Sequence, residues 1–482
     1  MLLWDVRATY GREHVLRLVR AFAAEPEASL VTSDLRVERD RAREYVAVDL
    51  APAAPVGCWQ AGCAIRRERL LRVDVRAFAP VELELLEAAR ADGSHRHVAH
   101  AEVVVDGDAF DRASEEARVD AELLRLARLD PLPEPLACVL LATHERREIL
   151  EECLASFARQ LVRPGTFELV VIDDASTDGT PELLDAIELP VPLQTFRNDV
   201  PSGATAARNL GLPHARGTYV IFVNDDTIAP PDLVRRHLEA HRDLGPRAMV
   251  LGLFEQPQEI LANALDRSLE RGNLVFSFGA FEPGQELSGA HFYTCNASVR
   301  LAAVREIGDF DPTYAVYGGE DTDLGLRLER EGYRLHYRPE CFALHRHRLD
   351  LDWFLRRQRL VARAYVKLYR DHPALLDGQP FASRRLGELR DFLDRALPVL
   401  PTVEDAARAL AGIDLGALEA GGREDAGLAE RLVDALRSLL VDVNNVQWTR
   451  GLVDGFEQLD VDGFPGLLEA VANGTAKDFT HA

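Results

Sequence analysis

"VVIDDASTDGT", Val170 to Thr180, runs three apolar β-formers into two aspartates, then a serine, a third aspartate and Gly-Thr. Taken alone, such crowding of carboxylates suits a surface loop as well as a site for a nucleotide or a metal. The neighbouring residues narrow the choice. "ACVLLA" (137–142) is a short apolar run, hence a strand, and "REILEECLASFARQL" (147–161) carries apolar residues at helical spacing. "FELVVI" (167–172) is a second strand, and Thr180-Pro181-Glu182 supplies an N-cap with proline at the first helical position. "PLQTF" (192–196), "GATAARNLGL" (203–212) and "TYVIFV" (218–223) then read as strand, helix and strand. This alternation predicts an α/β fold with a parallel sheet flanked by helices. Ligands of such sheets sit beyond the carboxyl ends of the strands. Three strands end there in polar clusters, "THER", "DDASTD" and "NDD".

The chain has 482 residues, enough for two to four domains, and its 47% hydrophobic content allows sizeable cores. A formal charge of −23 argues against a nucleic-acid surface. Positive charge is nearly all arginine, the only lysines being Lys367 and Lys477. Cys58, Cys63, Cys138, Cys153, Cys295 and Cys341 form no CxxC pair and no zinc spacing, as expected for reduced thiols in a cytosolic protein. "MLLWDVRATYGREHV" is too short in apolar run to read as a signal peptide, and no stretch has the ~18 apolar residues of a membrane span. The expectation is a cytoplasmic protein, at most peripheral at the inner face of a membrane. Pro-rich "LDPLPEPLA" (129–137) reads as a linker. The expected domains are therefore an α/β region at 1–128, a linker at 129–136, an α/β domain at 137–350 and a helical region at 351–482.

"FVNDDT" ends the fourth strand with Asn224, Asp225 and Asp226. Adjacent carboxylates repel, and a divalent cation removes the repulsion. Mg²⁺ or Mn²⁺ needs only one or two carboxylates plus substrate phosphates. A capped turn before Pro230 explains the same residues. In "YGGEDTDLGLRLEREGY" (317–333), Gly318 and Gly319 permit a tight turn before Glu320 and Asp321 open a helix. Those carboxylates suit a helix dipole, or a general base facing a cleft. "CFALHRHR" puts His345 and His347 after an apolar run, where a histidine is either structural or a metal ligand.

In this order the motifs resemble family 2 glycosyltransferases of the GT-A fold, over roughly residues 136–350. The resemblance implies a Rossmann-like mixed sheet and a nucleotide-sugar donor, with a UDP-sugar expected. It implies that Thr143, His144 and Glu145 line the nucleotide, that Asp174 with Asp173 meets the base, and that Arg208 and Asn209 lie near the donor. Asn224 stands where the DXD motif begins. Asp225 and Asp226 match the carboxylates that meet the ribose and the metal, Mn²⁺ or Mg²⁺, with His345 completing the metal site. Asp321 matches the catalytic base, and Glu320 is expected near the acceptor. His144 stands where tyrosine is more usual, which puts its contact with the base in doubt. A single base implies inversion at the anomeric carbon. The implied acceptor is a glycan, glycolipid or protein, in polysaccharide or glycan assembly. Rival readings are a nucleotide-sugar-binding protein without turnover, and a nucleotidyltransferase. The latter usually has a Gly-rich loop where this chain has "LATHERRE".

Two further expectations concern the flanks. "CWQAGCAIRRERLLRV" (58–73) runs beside "FYTCNASVRLAAVREI" (292–307), "LELLEAARADG" (83–93) beside "TDLGLRLEREG" (322–332), and "EHVLRLVRAFAAEP" (13–26) beside "PDLVRRHLEAHRDL" (231–244). Residues 1–110 therefore read either as a degenerate partial copy of the second half of the α/β domain or as an unrelated α/β domain. The copy carries Val81-Glu82 in place of Glu320-Asp321. Beyond it, the basic aromatic helix at 352–370 can pack on the protein or lie on an anionic membrane, and further helices are expected at 383–397, 403–412 and 427–445.

Overall fold

The computed structural model describes residues 103–314, 318–419 and 423–477, together with the short strands of the N-terminal region. The chain divides into two compact units, Met1–Leu129 and Asp130–Ala482.

In the first unit the strands are β1 (Ala8–Tyr10), β2 (Leu30–Ser33), β3 (Leu35–Arg39), β4 (Ala42–Val46), β5 (Ala64–Ile65), β6 (His95–Val98) and β7 (Val103–Asp106). Among the described residues they form two sheets, ordered β1-β7-β3-β4 and β5-β2-β6. In the second, Val31 of β2 pairs antiparallel with Ala64 and parallel with Arg96. The aligned stretches 13–26 and 83–93, and Val81-Glu82, lie outside the described residues.

The second unit is built on β8 (Ala137–Thr143), β9 (Phe167–Asp173), β10 (Leu193–Arg197), β11 (Tyr219–Val223), β12 (Thr227–Ile228), β13 (Ala248–Glu255), β14 (Glu286–Leu287), β15 (Asn296–Arg300) and β16 (Arg334–His345). The order is β10-β9-β8-β11-β15-β13-β16-β12, with β14 on β16. The first four strands are mutually parallel, as the alternation with helices requires. Antiparallel β15 then joins β11 to β13, and β16 lies parallel to β13. The sheet is thus mixed.

Both of its faces are covered, which is why β8 and β9 read as unbroken apolar runs rather than alternating ones. Cys138, Leu140, Val170, Ile172, Val220 and Phe222 fill one layer, and Val139, Leu141, Leu169, Val171, Ile221 and Val223 the other. Each such aliphatic side chain contributes about 1.5–3 kcal/mol by leaving water. Glu168 is the exception inside β9, fully buried. Arg216 answers it with a guanidinium contact at 2.8 Å and its own backbone N–H at 2.5 Å, and Gln194 donates at 3.0 Å.

After β16 the chain is helical. Helix Leu351–Asp371 packs along helix Arg423–Leu459, with Phe354, Ala362 and Val366 wholly buried. Arg359 pairs with Asp454 at 2.6 Å across the crossing. A Cβ at Gly451 would stand 2.1 Å from the Arg359 carbonyl, so glycine sets how closely the two helices approach. That long helix extends well past the predicted 427–445. Gly451 and Gly455, within that extension, serve packing against helix Leu351–Asp371. The remaining helices are Leu386–Ala396, Leu400–Ala411, Leu415–Glu419 and Gly463–Ala472. Among the described residues no helix is long and apolar enough to cross a membrane, and Cys138, Cys153, Cys295 and Cys341 are free and buried. Cys58 and Cys63 lie outside the described side chains.

Candidate active site

The carboxyl ends of β8, β9 and β11 do bring their polar clusters together. Buried Thr143, at the end of β8, donates its hydroxyl to Asp225 Oδ2 at 2.8 Å. The next loop turns through Glu145 at φ +54°, and the loop after β9 through Ala175 at φ +62°, both left-handed conformations that non-glycine residues seldom adopt. The two loops are stitched to each other. Glu145 N–H donates to Ser176 Oγ at 2.9 Å, while its carboxylate accepts from Thr177 N–H at 2.7 Å. His144 Nδ1 lies 2.7 Å from the Asp174 carbonyl.

Asp173 and Asp174 are buried and heavily committed. Asp173 accepts from Ser176 N–H and from Arg197 at 2.5 Å. Asp174 accepts from Asn198 at 2.6 Å, Ser202 N–H at 2.9 Å and Gly203 N–H at 2.7 Å. It thereby supplies the anion that the N-terminus of helix Gly203–Gly211 favours. A base contact of the kind the resemblance implies would share an oxygen already in use.

Asp225 and Asp226 are 6% and 2% exposed. Arg146, the residue just beyond the three singled out in the sequence, stands between them: its Nη1 is 3.0 Å from Asp225 Oδ1 and 2.7 Å from Asp226 Oδ2. Burial pushes the Asp225 carboxyl up to about 6, against the pull of Arg146 and with the push of Asp226. Burial also opposes ionisation of Asp226, but the His345 ring and Arg146 outweigh it and hold that carboxyl well below its usual range. Asn224 contributes its carbonyl, which accepts from Thr227 N–H.

His345 reaches Asp226 because β12 lies antiparallel on β16, with Thr227 opposite His345. Its Nε2 is 3.4 Å from Asp226 Oδ2, and Phe254 stacks on the ring at 4.7 Å. A ring nitrogen and a carboxylate oxygen at that separation are placed to share a proton or a cation. Asp226 Oδ1 is buried without any hydrogen-bond partner. These groups fit one side of a divalent cation, the rest being left for substrate oxygens. Among the described residues no three His, Cys, Asp or Glu side chains make a complete cage. His347 points into the same region; burial pushes it down to about 4, and Arg146 adds to that.

Glu320 and Asp321 open helix Glu320–Arg330 after Gly318 and Gly319, at φ +97° and +95°. That double left-handed turn favours glycine and aims the helix start inward. Arg208 Nη1 lies 3.4 Å from Glu320 Oε1. Arg208 Nε and Glu320 Oε2 are buried with no partner, polar capacity open to a ligand. Burial, helped by the charge of Glu320, pushes the Asp321 carboxyl up to about 7. The Cys295 thiol, buried and pushed up, feels both Asp321 and Asp226, so both carboxylates flank one region. Asn209 is occupied elsewhere: its amide donates to and accepts from the Phe310 backbone at 2.8 and 3.1 Å.

Residues 138–308 match the family model described as glycosyl transferase family 2, and residues 276–348 one described as N-terminal domain of galactosyltransferase. The segment 138–308 is a family 2 glycosyltransferase domain. Among curated relatives, validoxylamine A glucosyltransferase of Streptomyces hygroscopicus subsp. limoneus is 30% identical over 247 residues, covering 45% of this chain and 54% of that protein. The uncharacterized glycosyltransferase YfnE of Bacillus subtilis is 29% identical over 255 residues, covering 43% and 64%. The chain thus spans a little over half to about two thirds of the length of these relatives. The mannosyltransferase PcManGT of Pyrobaculum calidifontis, solved with GDP-Man and Mn2+, is 20% identical, covering 69% of this chain and 95% of that one with a TM-score of 0.40. So shallow an overlap adds nothing to the sheet order above. Arg146 closes the "THER" cluster but was given no role in the sequence, and Arg357 and Tyr365 of helix Leu351–Asp371 belong to no motif read there. Arg357 acts on Asp321 by its charge, and Tyr365 bonds Thr322.

Proposed function

We propose that the chain transfers a sugar from a nucleoside-diphosphate sugar, with a UDP-sugar as first expectation, to an acceptor hydroxyl with inversion. The observation that carries the reading is the grouping of Asp225, Asp226 and His345 on one flank of the site and the raised Asp321 on the other. A cation bound by Asp226 and His345 would neutralise charge on the departing diphosphate. Asp321 takes the proton of the acceptor hydroxyl as its oxygen attacks the anomeric carbon. The bond from that carbon to the diphosphate oxygen breaks, and its electron pair leaves with the diphosphate. A base with a carboxyl near 7 is well matched to neutral pH. Arg208 offsets part of the repulsion between Glu320 and Asp321. A protein that only held the donor would have no use for a buried, raised carboxyl opposite the cation site.

A role in glycan or polysaccharide assembly is our inference from the relatives, among them the succinoglycan biosynthesis protein ExoM of Rhizobium meliloti, 25% identical over 221 residues. The test is a panel of nucleotide sugars with Mn²⁺ or Mg²⁺. Slow metal-dependent release of nucleoside diphosphate from one donor, lost in Asp321→Asn and Asp226→Ala, supports the transferase. Absence of binding to every nucleotide sugar overturns it.

We also propose that residues 1–110 hold a degenerate partial copy of the second half of the glycosyltransferase domain. β5-β2-β6 repeats the order and directions of β15-β13-β16, antiparallel on one side and parallel on the other. Val31, flanked by Ala64 and Arg96, has its counterpart in Val250, flanked by Ser298 and His336. These are the positions that the aligned stretches equate, to within one residue. Val31→Cys with Ala64→Cys in the full chain should oxidise to a disulfide identified by mass spectrometry. Failure of that pair, with Val31→Cys instead linking to distant positions, removes the copy.

A further inference from the structure

We propose that Arg146 is a built-in counter-ion of the cation site, which the divalent metal must displace before the donor can load. This rests on the metal reading above and specifies how that site is kept ready. Two adjacent buried carboxylates cannot stay ionised without a compensating charge. Here the charge comes from one guanidinium nitrogen, shared between Asp225 Oδ1 and Asp226 Oδ2. The plug is incomplete, because Asp226 Oδ1 keeps no partner. It is also releasable. The Arg146 side chain remains 32% exposed, while those of Asp225 and Asp226 are 8% and 3% exposed. It also projects from a loop residue at the start of helix Arg147–Phe157, next to Glu145 in its left-handed conformation. A cation that took the place of the shared nitrogen would meet Asp226 and His345 on the inside and leave Arg146 on the solvent side, facing an incoming diphosphate. Displacement exchanges one positive charge for two, which is what a diphosphate adds a need for. The metal-free protein therefore resists cation loading by the strength of its own ion pair.

The test is Mn²⁺ binding to the nucleotide-free full chain, read from the loss of the free-ion electron paramagnetic resonance signal. Arg146→Gln is expected to bind Mn²⁺ at least about tenfold more tightly than the wild type, and to gain more in melting temperature when Mn²⁺ is added. Arg146→Lys, whose single ammonium holds two carboxylates less well, should fall between and covers the case in which Arg146→Gln does not fold. Asp226→Ala should abolish binding in either background. Equal or weaker Mn²⁺ binding by folded Arg146→Gln overturns the exchange while leaving the metal site standing. Absence of Mn²⁺ binding in every variant, with and without UDP, overturns the exchange together with the metal reading.

Discussion

His372 Nε2 lies 2.7 Å from Asp323 Oδ1, both side chains being buried. Arg330 lies 2.7 Å away, donating to the other ring nitrogen, which fixes the neutral tautomer with its N–H toward Asp323. Asp323 sits one turn from the start of the helix that carries Asp321, while His372 belongs to the C-terminal helical region. The helical region therefore reaches under the proposed base and fixes the helix that presents it.

His372→Ala is accordingly expected to cost about 1–3 kcal/mol of stability. Arg327, at 2.8 Å from Asp323, limits the loss. Turnover should fall more than donor affinity, because the proposed base is displaced and the nucleotide loops are not. Unfolding curves and steady-state kinetics on the same preparation check both.

Activity should rise with pH through an acid limb near 7, where Asp321 loses its proton. Stability should run the other way. The folded chain holds that carboxyl above its ordinary 3.8, so the contribution is whole below about pH 4 and is lost as pH rises through 7. Asp321→Asn cannot ionise and should gain roughly 3–4 kcal/mol over the wild type at pH 8 relative to pH 4. A melting-temperature difference that does not change with pH would contradict this.

Arg208 and Arg357 both pull the Asp321 carboxyl down, whereas Glu320 pushes it up. Removing Arg208 as Arg208→Ala should therefore move the acid limb of the rate profile upward, by roughly half a unit to one unit. A limb that stays in place would show that another group limits the rate.

The full chain should remain unbound in a flotation experiment with anionic vesicles. The aromatic helix at 351–371 has spent Phe354, Leu355 and Val366 on the core shared with helix Arg423–Leu459. Flotation would mean that another surface holds the lipid.

Much of this was legible in the sequence. The strands at 137–143 and 167–173 are marked by unbroken apolar runs, and the polar residues that follow each run fall where parallel strands end. Gly318-Gly319 foretold the turn that delivers Asp321. What stayed hidden depends on three-dimensional pairing. Arg146 looks like one more charged residue at a helix start until β11 lies beside β8. Asn209 belongs to a motif that suggests a donor contact, but its amide closes on the Phe310 backbone, in a loop about a hundred residues later. His372 had no motif at all, only a partner brought close by the fold.

β12 and β16 meet in a single register, with Thr227 across from His345. Successive side chains of a strand face opposite sides, so a slip of one residue would turn His345 away from Asp226. The proposed cation site is therefore divided between two stretches that only the finished sheet brings together. During synthesis Asp226 emerges long before His345, and the half-made domain offers a metal no more than carboxylates already clasped by Arg146. Metal capture would then mark the end of folding, and a cell would meet this chain as a metal binder only once its sheet is complete.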